Sequence, residues 1–164
     1  MIKAIQISGL ILLVFFAYCC EKIRSYPAEP HIKYISYSLS NATDTLQNKV
    51  RVLTVAFSFE DGDGDLFRDS TRNDSTSKIY YIIYKHVNGT KIKVSDTSLP
   101  SSFNFPWDPI MSRNGQDKLQ KGTIKFNYFF NYPLPFDTIN FEFFITDGLL
   151  NKSNHEIIPS DIIL

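Results

Sequence analysis

A chain of 164 residues is long enough for one folded domain preceded by a targeting segment. Its 17 basic and 17 acidic side chains balance, and no long basic run is present, so the positive surface that nucleic acid binding requires is missing. Nucleic acid is therefore excluded from the expected partners. The two cysteines, Cys19 and Cys20, are neighbours that cannot close a sizeable loop, so no disulfide framework is expected.

The first twenty residues have the anatomy of an export signal. Lys3 gives a positive start, and residues 5–16 are almost wholly apolar. A membrane-spanning helix needs about 20 apolar residues, whereas this stretch ends sooner and runs into charged residues from Glu21 onward. The pattern predicts a cleaved signal peptide over residues 1–19 rather than a permanent span.

The end of the apolar stretch resembles the lipobox of bacterial lipoproteins, in which a cysteine becomes the first mature residue and carries the lipid. Cys20 is the predicted lipidation site, because Ala17 lies three residues before it and a polar stretch follows it. Cys19 replaces the usual small residue, and an ordinary signal peptide with incidental cysteines is the alternative. Acyl chains on Cys20 would bury enough methylenes for stable membrane attachment. Residues 20–30 contain two prolines and no apolar periodicity, which predicts an extended tether.

The rest of the chain has the composition of a β-protein. Phe and Tyr are abundant, and short apolar runs are bounded by Asn, Asp, Ser, Gly and Pro. The predicted strands cover residues 31–39, 50–59, 78–86, 91–94, 123–130, 138–146 and 156–164. About seven strands with short turns predict an all-β fold, an immunoglobulin-like antiparallel β-sandwich over residues 31–164.

Two local patterns refine this prediction. Asn88-Gly89 lies between two β-rich runs and predicts a tight hairpin, because both residues tolerate positive φ. Residues 99–121 are predicted to form a long connection. In the second strand, alternation predicts that one side faces the core: Leu53, Val55, Phe57 and Phe59.

An acidic loop directly follows the second strand and places Asp61, Asp63 and Asp65 at alternate positions with glycines between them. Like charges this close repel unless a cation or water offsets them, and hard oxygen ligands suit Ca²⁺. In an immunoglobulin-like sandwich, this loop lies at the same end as the loop between the last two strands, where Asp147 is found. The sequence therefore predicts a Ca²⁺ site formed by Asp61, Asp63, Asp65 and Asp147.

Other interpretations of the acidic loop stay open. It is not an EF-hand, because Leu66 stands where that loop needs glycine and Arg72 where it needs a bidentate glutamate. It is alternatively a solvated turn whose aspartates cap backbone amides, or a catalytic loop. Asp69 and Asp74 are weaker candidate ligands, because neighbouring arginines can pair with them.

Two segments carry a family resemblance: residues 55–65, which end in Asp61-Gly62-Asp63-Gly64-Asp65, and residues 143–154, which contain Thr146-Asp147-Gly148. Together they resemble the uncharacterised surface lipoproteins of Bacteroidetes that combine an Asp-Gly-Asp-Gly-Asp motif with an immunoglobulin-like terminus. The resemblance implies a lipoprotein of the cell envelope, expected in the outer membrane, with a β-sandwich domain. It implies no activity, and the turn after Asp147 departs from the usual pattern of the group.

The remaining motifs favour a non-catalytic role. Phe103, Phe105 and Trp107 are predicted either to form an exposed ligand-binding platform or to fold back over an open edge of the sandwich. The three histidines lie far apart in sequence, and no nucleophile elbow or phosphate loop is present. We expect a lipid-anchored envelope module for adhesion, ligand binding or complex assembly, with an envelope protein or glycan as partner. The alternative is an envelope hydrolase that uses the acidic loop.

Overall fold

The computed structural model describes residues 26–67, 77–94, 101–105 and 119–164. Across these ranges the chain forms β-strands and no helix, which confirms the predicted all-β class. Correspondingly, none of the described segments is a helix able to cross a membrane. The predicted signal peptide, Cys19 and Cys20 lie outside the described residues.

The described residues contain nine strands: β1 (His31–Thr43), β2 (Lys49–Asp61), β3 (Lys78–Val87), β4 (Thr90–Lys93), β5 (Ser102–Asn104), β6 (Gln120–Asn131), β7 (Thr138–Thr146), β8 (Glu156–Ile157) and β9 (Ile162–Ile163). Two differences from the predicted strands stand out. The predicted long connection contains β5, and the last predicted strand is divided into β8 and β9. Pro159 lies between these two, where its missing N–H and fixed φ interrupt the pairing.

The strands form two antiparallel sheets. The first sheet has the order β1-β2-β6, and the second has the order β4-β3-β7-β8, with β5 also pairing with β3 and β9 with β7. In immunoglobulin nomenclature, β1, β2 and β6 correspond to strands A, B and E, and β4, β3, β7 and β8 correspond to strands C′, C, F and G. This is an immunoglobulin-like arrangement. The predicted sandwich is therefore confirmed, and the two additional strands, β5 and β9, extend its edges.

The core lies between the two sheets and is rich in aromatic rings. The predicted inward side of β2 is buried, and the Phe57 ring lies 5.3 Å from Phe143 across the sandwich. Val50 and Val52, on the opposite side of β2, are also buried, because β2 is the central strand and side chains of β1 and β6 flank it. Each such apolar side chain stabilises the fold by about 1.5–3 kcal/mol.

The hairpin between β3 and β4 has the predicted turn. Asn88 and Gly89 have φ values of 50° and 75°, and Val87 pairs with Thr90 on either side of them. Both central residues are left-handed, as a type I′ turn requires.

A side-chain amide attaches the edge of the first sheet to the second. Asn154 Oδ1 accepts a hydrogen bond from the Ile32 N–H at 2.8 Å, and Asn154 Nδ2 donates to the Ile32 carbonyl at 2.9 Å. The Glu156 carboxylate accepts the Tyr34 N–H at 3.0 Å. The Asn154 side chain thus pairs with the N–H and the carbonyl of Ile32 as the backbone of a neighbouring strand would. It thereby fixes the start of β1 beside the loop that follows β7.

Candidate metal centre

Two fully buried aspartates face each other at one end of the sandwich. Asp61 is the last residue of β2 and continues its inward row after Phe57 and Phe59, while Asp147 continues the inward row of β7. One ligand atom from each of Asp61, Asp63, Asp65 and Asp147 lies within 4.8 Å of the others. The structure therefore brings together the four aspartates that the sequence singled out, from both sheets.

Backbone amides satisfy part of this cluster. Asp61 Oδ2 accepts the Leu66 N–H at 3.0 Å, and Asp65 Oδ1 accepts the Gly148 N–H at 3.1 Å, which links the two loops directly. Asp61 Oδ1 and Asp63 Oδ1 are buried without a hydrogen-bond partner in the described part of the chain. An unpaired buried polar atom costs about 1–3 kcal/mol. A proton shared between the two carboxyls or a cation held between them would satisfy both oxygens.

The electrostatics of Asp61 agree with this geometry. Burial is the largest cause that raises the pKa of its carboxyl, and the negative charges of Asp63 and Asp65 and a side-chain hydrogen bond with Asp63 raise it as well. The hydrogen bond from the Leu66 N–H opposes them, and the net pKa is about 7. A cation held between the carboxylates would favour the ionised form and reverse the shift. The cluster can thus hold a metal ion, and without one it holds a proton near neutral pH.

Asp147 also organises its own turn. Its Oδ1 accepts the N–H groups of Leu149 at 2.9 Å and Asn151 at 2.8 Å, and its Oδ2 accepts Asn151 Nδ2 at 2.8 Å. Leu150 takes a positive φ of 68°. Two N–H donors occupy Oδ1, so Oδ2 is the oxygen of Asp147 that has room for a further partner.

The same turn occurs at the opposite end of β2. In the β1–β2 hairpin, Asp44 Oδ1 accepts the N–H groups of Leu46 at 2.9 Å and Asn48 at 2.8 Å, its Oδ2 accepts Asn48 Nδ2 at 3.1 Å, and Gln47 has a φ of 65°. The Asp-x-x-x-Asn turn at Asp44 therefore forms from its own hydrogen bonds, and Asp44 is not part of the aspartate cluster. The capping interpretation accounts for the bonds of Asp147, but it does not account for the buried, unpartnered oxygens of Asp61 and Asp63.

The described part of the predicted tether rests on the acidic loop. A Cβ atom on Gly62 would lie 2.0 Å from the Pro27 carbonyl oxygen and 2.8 Å from Tyr26 Cβ, so only glycine permits this approach. Pro30 is buried, and the segment shares the lining of a cleft of about 410 Å³ with Glu60, Gly62 and the loop after β7. Residues 26–30 are thus packed on the domain at the end that carries the aspartate cluster.

The aromatic cluster is divided between the core and the undescribed segment. Phe103 lies 5.2 Å from the ring of Tyr81, and Phe105 is buried with its ring 5.2 Å from Phe67. Both rings pack against the core, in keeping with the alternative that this segment folds back onto the sandwich. Trp107, Asp69 and Asp74 lie outside the described residues.

A second group of polar residues, which the sequence analysis did not predict, lies on the outer face of the second sheet. Glu142 accepts hydrogen bonds from Tyr84 Oη at 2.8 Å and from His155 Nδ1 at 2.6 Å, and the His155 ring stacks on Phe144 at 4.4 Å. Burial raises the pKa of Glu142, but these hydrogen bonds and the electrostatic attraction of His155 and Lys93 outweigh it and hold the pKa below its usual value. Cross-strand register, which alternation alone does not provide, brings these residues together.

Comparison of the chain with protein-family models, curated proteins and solved structures gives no match. The functional argument therefore rests on the chemistry of the described residues and on the sequence.

Proposed function

We propose that this chain is a non-catalytic, lipid-anchored module of a bacterial cell envelope, whose β-sandwich is stabilised by calcium and serves adhesion, ligand binding or complex assembly. The observation that carries the proposal is the four-aspartate cluster at the seam of the two sheets, with the unpartnered Oδ1 of the fully buried Asp61 inside it. The apolar N-terminal segment and Cys20 support the anchor.

Calcium suits this cluster better than other biological cations. The ligand set consists of carboxylate oxygens alone, which disfavours zinc and copper because these prefer nitrogen and sulfur. The oxygens lie within 4.8 Å of one another, which is about twice the Ca–O distance of 2.3–2.6 Å. Magnesium requires tighter octahedral geometry and keeps several waters, so it is expected to be the poorer substitute.

The expected role of the ion is structural. Asp61 ends a strand of the first sheet and Asp147 follows a strand of the second, so one cation would bridge both halves of the sandwich. A cation that binds only the folded chain stabilises it by about 2.7 kcal/mol at one hundred times its Kd. For a domain of this size that raises the melting temperature by roughly 5–15 °C.

A pair of matched variants separates the metal from the turn. Asp147→Asn replaces the oxygen that accepts Asn151 Nδ2, and Asp44→Asn replaces the oxygen that accepts Asn48 Nδ2. In chelator, both variants should therefore have a lower melting temperature, because each loses one hydrogen bond of its turn. Millimolar calcium should stabilise the wild type and Asp44→Asn, and it should have little effect on Asp147→Asn. Identical melting curves of the wild type in calcium and in chelator would reject the metal site.

The second candidate, an envelope hydrolase, is favoured by one observation: the carboxyl of Asp61 has a pKa of about 7, which suits a general acid. Asp61 itself is fully buried, whereas Asp63 and Asp65 are partly exposed. Screening the purified protein against polysaccharides and peptides distinguishes the two functions. Turnover that disappears in Asp63→Ala or Asp65→Ala would replace the proposed module by the hydrolase.

A further inference from the structure

The four aspartates leave the coordination shell of a calcium ion incomplete. One oxygen from each gives four ligands, whereas calcium takes about six to eight. Asp147 Oδ1 is occupied by two backbone N–H groups, so Asp147 contributes through Oδ2. The remaining positions must be filled by water or by other oxygens of the protein.

Gln120 is placed to supply one of these oxygens. It is the first residue of β6 and lies directly opposite Asp61 in the antiparallel pair of β2 and β6. Directly opposite residues project to the same face, with Cβ atoms about 4.5–5.5 Å apart. Since Asp61 points inward, Gln120 also points inward, in the row that continues through Gly122 to the buried Ile124.

Burial and chemistry agree with this placement. The Oε1 atom of Gln120 is buried, although the residue begins a strand at the rim of the sandwich. A side-chain amide oxygen is a normal calcium ligand. It also carries no charge, so it adds an oxygen to the site without a fifth negative charge beside the four carboxylates.

We infer that Gln120 is a fifth protein ligand of the metal, contributing its Oε1 from β6 beside Asp61. This inference rests on the proposed calcium site and specifies its coordination. The metal site would then join three parts of the chain: the end of β2 with its acidic loop, the start of β6, and the turn after β7. Two neighbouring strands of the first sheet would then be fixed at the same ion.

The test counts the water molecules on a bound metal. Terbium, an oxygen-seeking cation used as a luminescent substitute for calcium, is bound to the full-length protein in detergent. Its luminescence lifetimes in H₂O and D₂O give the number of coordinated waters. Gln120→Met keeps the length of the side chain and removes the oxygen. This variant should bind terbium with one water more than the wild type, and its calcium affinity should fall roughly tenfold.

Two further variants keep the inference falsifiable. Gln120→Glu retains an oxygen and should show the water count of the wild type, with calcium binding retained. Lys121→Met changes the next residue, which is exposed on the outer face, and should change neither quantity. An unchanged water count in Gln120→Met, or a gained water in Gln120→Glu, would overturn the role of Gln120 while leaving the metal site intact. Absence of terbium and calcium binding by the wild type would reject the site and this ligand together.

Discussion

Replacing Asp61 by asparagine should stabilise the metal-free protein, although the residue is fully buried at the end of a central strand. The asparagine carbonyl can accept the Leu66 N–H as Asp61 Oδ2 does. Its amide group would occupy the position of the unpartnered Oδ1 and could donate to the carboxylates of Asp63 or Asp65. The substitution therefore removes a repelled, desolvated charge and keeps the hydrogen bond.

The magnitude follows from the pKa of Asp61. Burial and the neighbouring carboxylates raise it from its ordinary value of 3.8 to about 7, which corresponds to about 4 kcal/mol of differential stability. A carboxyl with a raised pKa binds its proton more tightly in the folded state. Its contribution is therefore complete below the unfolded pKa and is lost as pH rises from about 4 to about 7. Asp61→Asn lacks this loss, so its advantage should be small at pH 4 and about 4 kcal/mol at pH 8.

Urea unfolding of the full-length protein in chelator, followed by circular dichroism at pH 4 to 8, measures this difference. The two-state extrapolation gives a free energy of unfolding for each protein at each pH. Calcium should narrow the difference at pH 8 by about 2.7 kcal/mol at one hundred times its Kd and should reverse the order only above about one thousand times its Kd, because the ion stabilises the wild type. An Asp61→Asn variant no more stable than the wild type in chelator at pH 8 would refute the electrostatic account of the cluster.

Three more predictions concern the tether, the anchor and the competing proton. Gly62→Ala should displace residues 26–30 without removing a carboxylate, so hydrogen exchange of that segment should accelerate while calcium still raises the melting temperature. Cys20→Ala should abolish lipid labelling and membrane fractionation, whereas loss of labelling only in Cys19→Ala would move the anchor by one residue. Calcium binding should release about one proton near pH 6 and almost none at pH 8, because Asp61 must lose its proton before it can bind the ion. Calorimetry in buffers of different ionisation enthalpy measures the number of protons released. A number that does not change with pH would contradict this prediction.

Alternation and topology made much of the fold predictable. The prediction that the apolar side of β2 faces the core was correct, because a strand whose one side is apolar is stable only with that side buried. The meeting of Asp61 and Asp147 required one further step, the rule that both loops lie at the same end of an immunoglobulin-like sandwich. The break between β8 and β9 was missed although Pro159 marks it, because the apolar residues on both sides suggested a continuous strand.

Non-local register explains most of what the sequence did not disclose. Gln120 lies 59 positions from Asp61, and only the pairing of β2 with β6 places them side by side. The prolines of the tether indicate an extended chain, but composition cannot show that this chain rests on Gly62. The equivalence of the turns at Asp44 and Asp147 was present as a repeated Asp-x-x-x-Asn spacing, yet only the hydrogen bonds show that it has structural meaning.

The cluster gives a quantitative reason to expect that cation and proton compete at this end of the sandwich. Above pH 7 the ionised Asp61 lowers the free energy of unfolding of the metal-free protein by about 4 kcal/mol relative to its value at low pH. A bound cation raises that free energy by about 2.7 kcal/mol at one hundred times its Kd and by about 4.1 kcal/mol at one thousand times. At pH 8, calcium therefore offsets the whole loss only when its concentration exceeds Kd about a thousandfold. Near pH 7 the pH is close to the pKa of Asp61, so the proton and the cation compete for this carboxylate directly. A structural site at the seam of two sheets must then bind calcium tightly, which requires more oxygens than the four aspartates provide and makes a further protein ligand on β6 physically reasonable.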